Sequence, residues 1–170
     1  MSNEQLPKKI DPLKLINHEV SLTGTINLED MTRLNACIEG GDPLVQADLS
    51  FYRDGQRFRV IEGSCSAKVS LVCQRCLEPT DVSLDAEFAL AVVTDDEWAK
   101  KLPKRYDALI LEESPILLAE VVEDELLLCL PSVPKHTHEC DIANLDFENP
   151  KLETEAKPNP FEVLAELKKK

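Results

Sequence analysis

The sequence predicts an α+β fold in which an antiparallel β meander, forming a sheet or a partly closed barrel, packs against one long apolar helix. Between residues 44 and 93, apolar and polar side chains alternate with a period of two, as expected of strands that bury one face. From Pro115 to about Leu130 the residues are instead apolar almost all round, which is typical of a helix that lies across a sheet. Together these patterns predict a single α+β domain over residues 13–140.

The meander is predicted from four alternating segments that are joined by short turns. These segments are residues 45–51, 57–63, 65–73 and 82–93. Asp54-Gly55 is a hairpin turn signal between the first two, and a turn that contains proline separates the last two. Because these connections are too short for a crossover helix, we expect antiparallel neighbours and not a βαβ sheet.

Shorter elements are predicted on either side of the meander. Residues 13–26 indicate one or two short strands with a bend at Gly24. The segment from Leu28 to Ile38 indicates a helix, in which Cys37 is expected to be a small buried residue. The single tryptophan, Trp98, is expected to seal the edge of the core.

The two ends of the chain are predicted to lie outside this domain. Residues 1–12 indicate a loose N-terminal arm, because Pro7 and Pro12 interrupt regular structure. Residues 141–158 are rich in Asp, Glu, Asn and Pro, which indicates a flexible tether. Residues 159–170 predict a short amphipathic helix, marginal on its own, whose apolar side chains would dock on the domain or on a partner. Those side chains are Phe161, Leu164 and Leu167.

The chain is strongly acidic, with 19 Lys and Arg residues against 32 Asp and Glu residues and a formal net charge of −13. Such a chain repels a phosphate backbone over its surface as a whole, so the composition disfavours broad capture of nucleic acid and favours a basic protein partner. No Lys or Arg lies between Arg105 and Lys135. Within that segment, one stripe of acids on the long helix is either an ordinary solvated face or a docking surface for a basic partner. The stripe consists of Glu120, Glu123 and Asp124.

Several classes of protein are disfavoured by what the sequence lacks. No run of 18 apolar residues is present, and the first residues lack the apolar core of a signal peptide, so we expect a cytoplasmic protein with reduced cysteines. The sequence has no glycine-rich phosphate loop, Gly-x-Ser-x-Gly elbow or His-Glu-x-x-His helix, and it has only three histidines. We therefore expect no enzymatic activity, and no residue is assigned a catalytic role.

One group of residues has the composition of a metal site. Cys73 and Cys76 form a Cys-x-x-Cys pair at a predicted hairpin tip, and His136, His138 and Cys140 follow sixty residues later. Zinc takes four nitrogen or sulfur ligands, which the pair, Cys140 and one of the histidines can supply. The two alternatives are a redox pair, although such pairs normally precede a helix, and thiols with neither role. A formed zinc site would tie the hairpin tip to the loop after the long helix and contribute on the order of 10 kcal/mol of metal-coupled folding.

The order of the motifs resembles one protein family. In chain order the motifs are Cys73-Gln-Arg-Cys76-Leu-Glu-Pro79, then Val122-Glu-Asp-Glu-Leu-Leu-Leu-Cys-Leu-Pro-Ser-Val-Pro134, the segment from His136 to Cys140, and Lys157-Pro-Asn-Pro-Phe-Glu-Val-Leu-Ala-Glu-Leu-Lys168. This combination resembles the YceD family of large ribosomal RNA subunit accumulation proteins over nearly the whole chain. The resemblance implies a non-enzymatic factor that supports normal accumulation of large-subunit ribosomal RNA.

The chain also departs from the pattern of that family. Many relatives outside the proteobacteria carry a fuller cysteine-rich knuckle after the helix, which implies a metal site of their own there. Here the knuckle is reduced to His136, His138 and Cys140, so four ligands are reached only together with Cys73 and Cys76.

Two hypotheses about function follow. In the first, the protein is an acidic binding module that holds a basic ribosomal protein or a precursor of the large ribosomal subunit. In the second, it contacts RNA directly, as a shield of the ribosomal RNA precursor or as an accessory to a processing nuclease. The second hypothesis rests on basic residues at both termini and on three arginines in one predicted hairpin. These arginines are Arg53, Arg57 and Arg59.

Overall fold

The computed structural model of the chain describes residues 4–140, and its centre is an open β-sheet. Eight strands are present in this part of the chain: β1 (Lys9–Ile10), β2 (Ser21–Asn27), β3 (Gly40–Gly41), β4 (Leu44–Arg53), β5 (Arg59–Val72), β6 (Pro79–Val93), β7 (Asp107–Ile110) and β8 (Ile116–Leu117). The main sheet has the strand order β2–β4–β5–β6–β7, with β3 paired on β5. Strands β1 and β8 form a separate two-stranded sheet.

Four short α-helices accompany these strands within the described residues. They are α1 (Pro12–Asn17), α2 (Thr32–Asn35), α3 (Asp96–Ala99) and α4 (Leu118–Leu128). A 3-10 turn, Leu28–Asp30, precedes α2. Helix α1 packs against β4 and β5, and α4 packs against β5, β6 and α2. The hydrophobic core therefore lies between these helices and one face of the sheet, while the opposite face of β4, β5 and β6 is lined by exposed or half-buried side chains.

The alternation in the sequence is the physical cause of the long strands. In β4, Val45, Ala47, Leu49 and Phe51 are buried, while the residues between them are exposed or half-buried. Successive side chains of a strand point to opposite faces, so this period places every apolar side chain of β4 in the core. The predicted strand pattern between residues 44 and 93 is present, with one simplification. The predicted segments 57–63 and 65–73 are parts of one continuous strand, β5.

Gly63 allows β5 to run through the position where a break was expected. A Cβ atom on Gly63 would lie 2.6 Å from Cδ2 of Leu49 and 2.8 Å from the carbonyl oxygen of Asp48. These distances are shorter than a side chain can tolerate, so β4 can approach this closely only because residue 63 has no side chain.

The predicted α+β fold class is wrong, because the described part of the chain is mostly sheet with several short helices and has no long apolar helix. The helix expected from Pro115 to about Leu130 is the 11-residue α4. It begins later because Ile116 and Leu117 are extended and pair with β1 as strand β8. It is also not buried all round, since Leu128 is 81% exposed. The apolar run therefore serves a short strand and a one-sided helix.

The predicted meander is also incomplete. Strands β2, β4, β5 and β6 are antiparallel neighbours, but β7 pairs in parallel with β6. Helix α3 and the loop after it lie between β6 and β7 in the chain, which gives the chain the length that a parallel connection needs. Among the described strands the sheet ends at β2 on one side and at β7 on the other, so it is open and not a closed barrel.

Three predictions about shorter segments are wrong. Residues 13–26 contain helix α1 as well as strand β2, and the helix expected from Leu28 to Ile38 is only the 3-10 turn and the four-residue α2. Cys37 is exposed, because the chain has left the helix before reaching it. Trp98 is 54% exposed and does not seal the core.

The N-terminal segment differs from the loose arm that was expected over residues 1–12. Lys9–Ile10 form strand β1, and the backbone of Leu6 exchanges hydrogen bonds with β2, donating to the carbonyl oxygen of Thr25 at 2.9 Å. Leu6 and Ile10 are buried. The expected tether at residues 141–158 and the expected helix at residues 159–170 lie outside the described residues. In the part that the structure describes, no helix is both long and apolar enough to span a bilayer.

Candidate metal centre

The turn between β5 and β6 places two cysteines on one side of the hairpin tip. The backbone N–H of Cys73 donates to the carbonyl oxygen of Glu78 at 2.9 Å, and the N–H of Leu77 donates to the carbonyl oxygen of Cys73 at 2.9 Å. Leu77 has a left-handed backbone (φ 62°), which closes the turn. As a result Cys73 and Cys76 are both buried, although their neighbours in the turn are exposed.

The loop after α4 is held against this tip by backbone contacts. The N–H of Gln74 donates to the carbonyl oxygen of Pro134 at 2.8 Å, and the guanidinium of Arg75 lies 3.4 Å from the carbonyl oxygen of His138. These contacts bring residues 135–140 onto the hairpin tip, so the two halves of the predicted site meet across about sixty residues of sequence.

Four side chains converge at this junction: Cys73, Cys76, His136 and Cys140. Their candidate ligand atoms all lie within 4.8 Å of one another. The Sγ atoms of Cys73 and Cys140 are 3.8 Å apart, and Nδ1 of His136 is 3.4 Å from Sγ of both Cys76 and Cys140. A tetrahedron around zinc has edges of about 3.8 Å between sulfurs and about 3.5 Å between sulfur and nitrogen. The observed separations match these edges, so the donor set fits one tetrahedral metal ion. We name these four residues the Cys3His cluster.

His136 is oriented by a contact on the far side of its ring. Its Nε2 atom lies 3.0 Å from the carbonyl oxygen of Pro79, which can only accept a hydrogen bond. Nε2 therefore carries the ring proton in the neutral imidazole, and Nδ1 presents its lone pair to the three sulfurs. A backbone carbonyl that fixes the tautomer of a ligating histidine is a common feature of metal sites.

His138 lies beside the cluster but outside it. Its ring packs on the ring of His136, with centroids 4.6 Å apart and an interplanar angle of 38°. Of the five residues predicted as tentative metal ligands, the structure thus brings four together and gives His138 a packing position next to them.

The thiols of the cluster have opposite shifts in pKa. Burial, the largest influence on Cys73, raises its pKa, but hydrogen bonds from the backbone N–H groups of Cys76, Arg75 and His136 lower it to about 5. Burial raises the pKa of Cys140 to about 11, and the neighbouring sulfurs of Cys76 and Cys73 raise it further. Three thiols crowded together resist full ionisation in the absence of a cation, because each thiolate repels the next.

The arrangement suits a structural metal site more than a catalytic one. Four protein ligands complete the coordination of a tetrahedral ion and leave no position for water or substrate. The cluster also joins two segments that are far apart in sequence, as structural sites commonly do. The structure therefore supports the possibility of a metal site that the sequence raised, while its identity as zinc is taken up below.

The acids predicted to bind a partner have different surroundings. Glu120 is exposed at the start of α4, and Asp124 is exposed and pairs with Arg33. Glu123 is only 2% exposed. Its Oε1 accepts hydrogen bonds from the backbone N–H groups of Arg33 (2.6 Å) and Leu34 (2.9 Å), and its Oε2 lies 2.8 Å from the Arg33 guanidinium.

Glu123 therefore has an internal role. Helix α2 has no capping side chain of its own, and the carboxylate of Glu123 satisfies two N–H groups of its first turn from another helix. The predicted apolar contacts of Phe161, Leu164 and Leu167 lie outside the described residues.

The sequence analysis missed an acidic surface on the uncovered face of the sheet, which we name the acidic sheet face. Its acids are Asp48, Glu62, Asp81, Asp85 and Glu87, and its one basic residue is Lys68. They are separated mainly by serines: Asp48, Ser64 and Glu87 lie side by side on three adjacent strands. The signal was present in the sequence, since acids recur at alternate positions along the predicted strands.

Comparison with known proteins gives a consistent result. Residues 61–168 match the family model described as "Large ribosomal RNA subunit accumulation protein YceD". The full chain is similar to a protein of Haemophilus influenzae with that same name, at 36% identity over 174 residues that cover 100% of both chains. No solved structure matches the chain.

Proposed function

The chain belongs to the YceD family, whose name indicates a role in accumulation of large-subunit ribosomal RNA, and from that premise we propose that it is a non-enzymatic assembly factor. It acts in the cytoplasm as an acidic binding module, and its partner is a basic ribosomal protein or a precursor of the large ribosomal subunit.

The acidic sheet face is the observation that carries this proposal. Five carboxylates and one ammonium group lie on a broad face that no described helix covers. Small serine side chains between the acids leave room for long Lys and Arg side chains of a partner. Such a surface attracts basic segments by charge and repels free RNA, so it favours the protein component of a ribosomal precursor.

The second part of the proposal is that the Cys3His cluster binds one zinc ion as a structural clamp. Three thiolates and one imidazole are a ligand set that zinc uses in closed sites. The chain's own residues already hold the geometry, with Pro79 orienting His136 and backbone N–H groups directed at Cys73. Zinc would fix the end of the β5–β6 hairpin and thereby the shape of the sheet.

The binding role is tested by affinity purification of the full chain from growing cells at moderate salt. We expect ribosomal proteins or large-subunit precursor particles to be recovered. In the variant Asp48→Asn/Asp85→Asn/Glu87→Gln, recovery should fall at least about tenfold, because each lost charge weakens steering and contact. The matched control, Glu29→Gln/Glu112→Gln/Glu113→Gln, removes three exposed acids elsewhere and should keep its partner.

Two results would count against the binding role. Recovery of neither ribosomal proteins nor precursor particles with the unaltered chain would refute the proposed function. Equal losses in the two triple variants would show that net charge alone matters and that the acidic sheet face is not the contact surface.

A further inference from the structure

The end of β5 opposite the Cys3His cluster carries a concentration of positive charge. It is formed by the β4–β5 hairpin (residues 53–59) and the loop after α3 (residues 100–106), which contain one acid, Asp54. Its basic residues are Arg53, Arg57, Arg59, Lys100, Lys101, Lys104 and Arg105, and we name this set the basic end. These seven are half of the fourteen Lys and Arg residues in residues 4–140, so the positive charge of an acidic chain is gathered in one place.

Contacts at Asp54 hold the two segments of the basic end together. The guanidinium of Arg105 donates to the carboxylate of Asp54 at 2.7 Å, and the hydroxyl of Tyr106 donates to the same carboxylate at 3.0 Å. The ring of Tyr106 also meets the ring of Phe58 edge to face, with centroids 6.1 Å apart. The single acid of the basic end is thus neutralised by Arg105, and within the described residues the other six basic side chains form no ion pair.

The hairpin accepts two energetic costs that the fold does not require. Arg53 and Arg59 lie directly opposite each other in the β4–β5 register, where like charges destabilise a sheet. Arg57 has a left-handed backbone (φ 67°), a conformation that glycine adopts without penalty and that costs other residues about 1–2 kcal/mol. Local rules that are broken without a structural gain indicate function.

An exposed aromatic ring accompanies these charges. Trp98, 54% exposed, lies on α3 just before the loop, and Nζ of Lys101 is 4.9 Å from its ring centroid. A flat aromatic face beside cations is the arrangement on which nucleic acid bases stack while their phosphates are neutralised. An acidic protein segment would be attracted by the charges but would not require the exposed ring.

We infer that the basic end binds a short stretch of single-stranded RNA, with its phosphates on the Arg and Lys side chains and one base stacked on Trp98. The overall charge of −13 does not prevent this, since salt screens charges beyond about 8 Å at physiological ionic strength. Three acids at the start of α3, Asp95, Asp96 and Glu97, lie on the other side of Trp98 and limit the site to a few nucleotides. This RNA contact is additional to the proposed protein-binding role and does not depend on it.

The test uses the purified full chain and an unlabelled 20-nucleotide oligouridylate at 50 mM salt. Because Trp98 is the only tryptophan, its fluorescence reports directly on the basic end, and we expect quenching that saturates with RNA. With about six phosphate contacts, the slope of log K against log salt should be about −4, and in Lys100→Ala/Lys101→Ala/Lys104→Ala it should become shallower by about 2. That variant should bind at least about tenfold more weakly at 50 mM salt.

Two further variants separate binding from folding. Trp98→Ala, followed by fluorescence anisotropy of a labelled oligouridylate, should weaken binding by about five- to hundredfold through the loss of stacking. Arg57→Gly relieves the left-handed backbone while removing one charge, so it should weaken binding with no loss of thermal stability. The matched control Lys9→Ala/Lys68→Ala/Lys135→Ala removes three lysines elsewhere and should bind as tightly as the unaltered chain.

Three results would overturn the inference. The first is no binding of oligouridylate at 50 mM salt. The second is binding that leaves Trp98 fluorescence unchanged, which would place the RNA elsewhere. The third is an equal loss in the control and the Lys100→Ala/Lys101→Ala/Lys104→Ala variant. An acidic peptide that competes fully with RNA at equal charge would also contradict it, since the basic end would then be a protein-binding site.

Discussion

Strand β5 joins two regions of opposite design. At its C-terminal end, the Cys3His cluster turns four side chains toward one another, buries both Cys73 and Cys76 and satisfies its backbone groups internally. At its N-terminal end, the basic end turns charged side chains outward and leaves Trp98 exposed. The difference shows that one region is built to hold the fold and the other to meet a partner. Stability should therefore depend on the first region and binding on the second.

Disruption of the Cys3His cluster should have the largest effect on stability. A structural zinc site contributes on the order of 10 kcal/mol to folding. We therefore expect removal of metal by a chelator, or the substitution Cys140→Ser, to lower the melting temperature by at least about 10 °C. Differential scanning calorimetry measures this change. An unchanged melting temperature after chelation would show that the two segments are held by backbone contacts alone.

Loss of the buried carboxylate of Glu123 should have the next largest effect. Glu123→Ala leaves two N–H groups of α2 and the Arg33 guanidinium without their acceptor, which we expect to cost about 3 kcal/mol. The adjacent Asp124→Ala removes an exposed pair with the same arginine and should cost under about 1 kcal/mol. Urea unfolding of both variants measures the difference. Equal costs would mean that burial of Glu123 is not what makes it important.

Asp54 should contribute a smaller, pH-dependent effect at the other end of β5. Burial raises its pKa, but hydrogen bonds from the N–H of Phe58, the hydroxyl of Tyr106, the N–H of Gln56 and the guanidinium of Arg105 together lower it below the usual value. A group with a lowered folded pKa stabilises fully above its unfolded pKa, about 3.9, and loses that contribution as pH falls through the folded pKa.

The corresponding experiment follows thermal stability between pH 7 and pH 3. Asp54→Asn should be slightly less stable than the unaltered chain at pH 7, and the difference should vanish as the pH falls to 3. A difference that is constant over this range would contradict a role for the ionised carboxylate. The effect should be smaller than that of Glu123→Ala, because the partners of Asp54 lie at the surface.

The fold and the candidate metal site could be predicted where the signal is local. Strand alternation was read correctly because burial of one face imposes a period of two on residues that are neighbours in the sequence. The Cys73-x-x-Cys76 pair was recognised for the same reason. The start of α4 was misplaced because it depends on Ile116–Leu117 pairing with Lys9–Ile10, more than a hundred residues away.

Long-range contacts also decided the finer details of the sites. His136 and His138 are equally well spaced from Cys140, and only the contact with Pro79 distinguishes the ligand from its neighbour. Exposure of Trp98 could not be read from the sequence, because a lone aromatic residue in a short amphipathic segment is usually buried. The joining of Asp54 to Arg105, 51 residues apart, is likewise a property of the folded chain.

The most direct test of the contrast between the two ends of β5 is the zinc content of the protein. Elemental analysis should be done on the full chain purified without chelator or affinity metal. We predict one zinc ion per chain, retained in His138→Ala and lost in His136→Ala and Cys140→Ser. Absence of zinc from the unaltered chain, or its loss in His138→Ala and retention in His136→Ala, would contradict the assignment of the Cys3His cluster as the clamp of the fold.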